Sequence, residues 1–216
     1  MPHSSPPAPL KRLVVATANS GKLREFRSLL TGFPFELTSL AELGVPSPAE
    51  TGSTFLANAT LKARHAAASS GCAAVADDSG IEVDILGGAP GIYSARYAGL
   101  DASDHANNAK LVSALEGVPH EQRRARYQCA LVFVEAADAA PLVAEAAWQG
   151  FILDAPRGSG GFGYDPYFWL PELNRTAAEL TPEEKNRLSH RGKAMRALRE
   201  LLLARLGAPV QPTVRA

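Results

Sequence analysis

Four short segments of this 216-residue chain hold side chains suited to chemistry. They are T-A-N-S-G-K at Thr17–Lys22, A-D-D-S-G at Ala76–Gly80, F-G-Y-D at Phe162–Asp165 and S-H-R-G-K at Ser189–Lys193. In the first, Thr17, Asn19 and Ser20 supply hydroxyls and an amide. Ala18 and Gly21 are small enough for backbone N–H groups to approach phosphate oxygens, and Lys22 adds a point charge. This is not a Walker A motif, because the first glycine is missing and Leu23 follows the lysine. In the second, Asp77 and Asp78 are expected to end an apolar strand where a sheet gives way to a cleft. Neighbours on a strand point to opposite faces, so at most one of them meets a metal. Carboxylates of this kind suit magnesium, which keeps several waters and binds through few protein oxygens plus substrate phosphates. Glu50, in E-T-G, offers a second carboxylate.

Gly158–Gly163 matches G-x-G-x-x-G in letters, but Tyr164-Asp165-Pro166 follows and no helical pattern develops, so a dinucleotide fold is not indicated. The loop makes better sense presenting Phe162, Tyr164 and Asp165: an aromatic face for stacking and a carboxylate for a base edge. In the fourth segment, a capped helix start aims His190 and Arg191 at an anion or a carbonyl oxygen. Arg96, in Y-S-A-R-Y, is a further phosphate clamp, and Lys62 a further cation for a phosphate chain. Each segment alone also fits an ordinary role: a helix cap, an Asp/Ser/Gly turn, a loop tucking Phe162 inward, a solvated basic face. Taken together they point to a nucleoside triphosphate as the ligand.

To bring these segments to one cleft, the fold must connect distant turns. Arg12–Ala16 reads as a buried strand, Lys22–Leu30 as a helix with Arg24, Glu25 and Arg27 on its outer face, and Phe35–Leu40 as a second strand. A long alanine-rich helix follows at Thr54–Ser70, then a strand at Ala73–Ala76, with Ile81–Val83 after the aspartates. Ser103–Leu115 reads as a helix. Tyr127–Glu135 and Pro141–Ala147 read as antiparallel strands, with Gly150–Asp154 as a third and Tyr167–Leu170 as a fourth. T-P-E-E at Thr181–Glu184 has the signature of a capping box with Pro at the first helical position, and its helix runs on to Leu206, restarted at Ser189. Strands alternating with helices early and clustering later give an α/β fold with a mixed sheet.

Composition excludes several classes. Lys+Arg and Asp+Glu both number 22, so the molecule has no bulk field of the kind that nucleic-acid and membrane-surface binders use. No run approaches the ~20 apolar residues of a membrane span. Cys72 and Cys129 lack metal-site spacing and read as core thiols of a reducing, cytoplasmic compartment. Residues 1–10 read as a Pro/Ser tail without a signal-peptide pattern, and 207–216 as a second tail, leaving 11–206 as the folded unit. The N-x-T sequons at Asn58 and Asn174 are chance matches in that setting.

The segments, together with E-T-G-S-T-F-L-A-N-A, L-G-G-A-P-G-I-Y-S-A-R-Y, G-G-F-G-Y-D-P-Y-F and A-E-L-T-P-E-E-K, resemble the bacterial inosine/xanthosine triphosphate pyrophosphatases. The likeness runs in order from about Leu13 to Leu206. It implies magnesium-dependent hydrolysis of ITP, dITP and XTP to the monophosphate and pyrophosphate by a cytoplasmic homodimer with a two-lobed fold, the site lying between the lobes on a long mixed sheet flanked by helices. It implies triphosphate contacts along Thr17–Lys22, a catalytic acid/base and metal ligand at Asp78 with Ser79 beside it binding substrate, and a metal-associated carboxylate at Glu50. Phe162, Gly163, Tyr164 and Asp165 correspond to the base-binding loop, Lys185 to a substrate contact, and His190 and Arg191 to the pair near the purine. Ala18 stands where many relatives have glycine. The residues themselves leave open a pyrophosphatase for modified pyrimidine triphosphates and a nucleotide-binding regulator without turnover.

Overall fold

The computed structural model describes residues 11–17, 19–31 and 35–205. The expected tails at 1–10 and 207–216, Ala18 and the helix end at Leu206 lie outside the described residues. Seven strands form one sheet in the order β2-β1-β3-β4-β5-β6-β7. They are β1 (Lys11–Ala16), β2 (Phe35–Ser39), β3 (Ala73–Val83), β4 (Arg124–Val134), β5 (Leu142–Ile152), β6 (Phe168–Leu170) and β7 (Arg175–Thr176). β1 pairs parallel with β2 and β3, and the remaining neighbours are antiparallel, so the sheet is mixed as the pattern predicted.

Side-chain alternation decides which layer each strand residue meets. On one face Leu13, Val15, Val75, Leu131 and Phe133 pack against Phe26 and Leu30 from α1 (Ser20–Leu29) and its cap, and against Met195, Leu198 and Leu202 from α5 (His190–Arg205). Phe26 is wholly buried there, and truncating it to alanine would cost about 3–5 kcal/mol. On the other face Val14, Ala74, Ala76, Ala130 and Val132 meet Ala59, Ala63, Ala66 and Ala67 of α2 (Phe55–Ser70). Those alanines let α2 lie close on the sheet. A third cluster, around Ile81, Tyr127, Trp148 and Phe168, joins the far end of the sheet to α3 (Asp104–Ala114) and the glycine loop.

Two expectations need correction. Asp77 and Asp78 do not end a strand: β3 continues to Val83, paired with β4 from Ala74 to Val83, so neither the strand end nor the Asp/Ser/Gly turn is present. The third strand expected at Gly150–Asp154 is the end of β5, which pairs with β4 without interruption from Leu142 to Phe151. Gly150 weakens the local sequence pattern there, although the ladder passes through it. The short β7 carried no signal. The α4 (Pro182–Leu188) capping box forms as predicted, with Thr181 N–H donating to Glu184 Oε2 at 2.9 Å and Glu184 N–H to Thr181 Oγ at 3.2 Å. Ser189 is extended and breaks α4 from α5, whose Gly192 N–H it caps at 3.1 Å.

Candidate active site

The face of β3 that meets α2 carries Asp78. One turn of α2 separates Asn58 from Lys62, so both side chains leave the helix on the same side and reach that carboxylate. Lys62 Nζ donates to Asp78 Oδ1 at 2.8 Å and to Glu50 Oε1 at 3.0 Å, while Asn58 Nδ2 donates to Asp78 Oδ2 at 3.2 Å. Arg96 Nη1 donates to Glu50 Oε2 at 2.8 Å. Burial raises the Asp78 carboxyl above its ordinary range and outweighs the pull of Lys62. For Glu50 burial loses instead, and Lys62 with Arg96 holds it below the usual value. Lys62 is likewise held up by Asp78 and Glu50 against the effect of burial. The two carboxylates therefore already converge on one cation. A divalent metal fits this donor set, because magnesium needs only one or two protein carboxylates and takes waters and phosphate oxygens for the rest. No larger cluster of His, Cys, Asp or Glu suited to a metal occurs among the described residues.

The opposite face of β3 carries Asp77 and Ser79. Asp77, wholly enclosed, accepts from Arg191 Nε at 2.9 Å and from Cys129 Sγ at 3.1 Å, and it forms an ion pair with Lys22. Burial works against its charge, yet Arg191 and Lys22 hold the carboxyl well below the usual carboxylate range. Arg191 also donates to Ser79 Oγ at 2.8 Å and pairs with Glu25. Asp77 is thus a structural anchor for two cations, and one sequence pair of aspartates serves two separate networks.

Between these elements lie two neighbouring cavities that share lining residues. A crevice of about 100 Å³ is walled by Ser79, Tyr127, Phe162, Gly163, His190 and Arg191. Beside it a basin of about 510 Å³ is lined by Thr17, Asn19, Lys22, Glu50, Lys62 and Arg96. Asn19 and Lys22 border both. Asn19 caps α1 through Oδ1, which accepts from Lys22 N–H at 2.9 Å, and Thr17 Oγ1 accepts from Asn19 N–H at 3.1 Å. This turn, at the positive end of a helix, faces the basin. Ser20 is exposed and lines neither cavity. Nor does Asp78 border the basin, where its partner Lys62 stands instead.

Phe162 is half-buried on the crevice wall and is not tucked into the core. Lys185 lies over its ring at 4.3 Å and Arg191 at 5.9 Å. Tyr164 and Asp165 are buried, unlike the open presentation expected of them. Tyr164 donates to Ser94 O at 2.8 Å. Asp165 accepts from Phe162 N–H at 2.9 Å, Lys185 at 2.6 Å and Tyr127 at 3.3 Å, so its oxygens hold the loop while the residue also lines the crevice. His190 stacks on Tyr127 with ring centres 4.7 Å apart, and its buried Nδ1 has no hydrogen-bond partner among the described residues. Burial, reinforced by Arg191, drives its pKa well down and leaves a neutral ring.

The structure therefore gathers all the predicted segments around one cleft. It adds residues the sequence did not mark. Glu25, expected on the outer face of its helix, turns inward to Arg191 and to Lys185 at 3.3 Å. Asn58 stood out only as a sequon and as one letter of a family-like segment, and Tyr127 only as part of a strand.

Residues 13–201 match the Ham1 family. A protein of Pectobacterium atrosepticum named dITP/XTP pyrophosphatase is 56% identical over 194 residues, covering 89% of this chain and 98% of the relative. One of the same name from Escherichia coli O157:H7 is 54% identical over the same shares of each chain. Among solved structures, a HAM1 protein from Coxiella burnetii superposes with a TM-score of 0.83 at 44% identity, covering 90% of this chain and 99% of that one.

Proposed function

The chain belongs to the Ham1 family, and on that premise we propose that it is a nucleoside triphosphate pyrophosphatase. It hydrolyses the non-canonical purine nucleotides ITP, dITP and XTP to the monophosphate and pyrophosphate, removing deaminated purines from the nucleotide pool. The relatives named dITP/XTP pyrophosphatase support this substrate class. The observation that carries it is the junction of a narrow aromatic crevice with a cationic basin across Asn19 and Lys22, beside the Glu50–Lys62–Asp78 cluster.

In this reading the base stacks on Phe162 in the crevice. Lys22, Lys62, Arg96 and the backbone amides of the Thr17–Lys22 turn hold the phosphate chain. Glu50 and Asp78 would hold magnesium, which on binding neutralises charge on the leaving pyrophosphate. Asp78 orients or deprotonates the attacking water, and a carboxylate lifted by burial is the better base. A 6-oxo purine offers an acceptor where adenine offers a donor. Arg191, or His190 as a neutral N–H donor, then rejects ATP by leaving a buried group unpaired. The protein works as a cytoplasmic homodimer.

A substrate panel of ITP, dITP, XTP, ATP, dUTP and dTTP, with and without magnesium and with products identified, tests the proposal. Magnesium-dependent release of pyrophosphate from ITP and XTP is expected. Faster turnover of dUTP or dTTP, or binding of ITP without release, overturns it.

A further inference from the structure

Asn58 is buried to 0% exposure, and its amide uses both ends. Its Oδ1 accepts from the Gly52 N–H at 2.8 Å, and its Nδ2 donates to Asp78 Oδ2 at 3.2 Å. A peptide N–H can only donate, so the Gly52 contact fixes which way the amide faces and turns an N–H toward the carboxylate. The approach is close: a Cβ at Gly52 would stand 2.7 Å from Asn58 Oδ1. Gly52 lies two residues after Glu50, so the same side chain also ties down the segment bearing the second carboxylate.

Among the described residues Asp78 accepts hydrogen bonds from only two side chains, Lys62 at Oδ1 and Asn58 at Oδ2. The two partners differ in kind. Lys62 lines the basin on a flexible four-carbon stem and can follow an incoming phosphate. Asn58 is short, enclosed and bonded at both ends.

From this we infer that Asn58 is a positioning residue for the reaction: it holds the Asp78 carboxylate and the Glu50 segment in fixed relation, so that the pair stays aligned when Lys62 moves to substrate. The inference rests on the proposed function for the roles of Asp78 and Glu50. Its geometry does not depend on which base is preferred.

The test uses N58D, which keeps an oxygen for Gly52 but faces Asp78 with another oxygen, and N58A, which removes the donor without adding charge. Half-saturating Mg2+, kcat and nucleotide KM are measured for each on ITP. Loss of a partner of this kind lowers kcat or weakens metal use about 10- to 100-fold, while nucleotide KM moves by less than about threefold. A merely structural role would not split the parameters in that way. The swapped pair N58D/D78N restores an N–H to oxygen contact. It is expected to recover the thermal stability lost in N58D without recovering turnover. Mg2+-induced thermal stabilisation without nucleotide, smaller in N58A than in the parent, reads the same contact independently of hydrolysis. A parent chain inactive on every triphosphate would thus sink the proposed function and leave this contact testable. Variants with kcat and Mg2+ dependence within about twofold of the parent, or a swap that regains no stability, overturn the inference.

Discussion

Asp77 and Asp78 are consecutive on β3, yet their carboxylates serve opposite faces of the sheet: Asp77 binds Arg191 and Lys22, and Asp78 binds Lys62 and Asn58. Their environments also push them apart, holding Asp77 well below the usual carboxylate range and lifting Asp78 above it. Groups separated in this way suit different roles: Asp77 that of a permanent counter-ion and, on the proposed function, Asp78 that of a base.

Asp78→Asn should lower kcat about 10²- to 10⁴-fold, the span of a lost general base. Because folding disfavours the ionised form of this carboxyl, its removal should leave the melting temperature unchanged or higher. Pyrophosphate release and thermal unfolding on one preparation check both halves. Turnover near that of the parent would strike Asp78 from the mechanism.

Lys62→Met removes the ammonium shared by Glu50 and Asp78. The raised pKa of Lys62 means that its contribution is complete at neutral pH and is lost only as pH rises through the folded value. The variant should therefore lose stability at pH 7. About 2 kcal/mol is expected, less than for a fully enclosed pair because Glu50 stays partly exposed. Mg2+ alone should then raise the melting temperature of the variant more than that of the parent. An equal or smaller rise would show that Lys62 does not occupy the cation position.

Two buried groups shape the acid side of the stability curve. His190 is neutral when folded, whereas an unfolded histidine takes up a proton below about pH 6.5. Stability is thus full above that pH and falls as pH drops below it, by up to about 1.4 kcal/mol per unit. Asp77 contributes fully above about pH 3.9 and is lost as pH falls through its depressed folded value. Urea unfolding from pH 7 to 5 should show a slope in the parent that flattens in His190→Phe. Asp77→Asn, by leaving Arg191 undercompensated, should lose about 3 kcal/mol at neutral pH. Parallel curves for parent and His190→Phe would refute the assignment.

Gly21→Ala should raise nucleotide KM with little change in melting temperature. A Cβ at Gly21 would stand 2.8 Å from Phe162 Cδ1, so the aromatic ring must move. Alanine in the first turn of α1 otherwise favours the helix by up to about 1 kcal/mol. A variant with unchanged KM would show that the ring position is not what the base meets.

The sequence made the ends of elements legible where chemistry marks them. The Thr181–Glu184 box, the break at Ser189 and the strand, turn and helix around Asn19 all appear where local capping demands them. Opposite facing of Asp77 and Asp78 followed from strand geometry alone, even though the strand was expected to stop there. What stayed hidden depends on partners distant in the chain. β3 runs through two aspartates, a serine and a glycine because β4 supplies the other half of its ladder. Glu25 has no local reason to face inward, and Asp165 none to bind its own loop, until Arg191 and Lys185 arrive from α5 and α4.

The pairing of β3 with β1 over Ala73–Ala76 and with β4 opposite Leu131 and Ala130 has a consequence for how this chain tolerates change. One residue inserted between Ala76 and Asp77 would send each carboxylate to the layer its neighbour now serves. Every letter of A-D-D-S-G would survive and both networks would be lost. The motif has a parity as well as a spelling, and a two-residue change there should be better tolerated than a change of one.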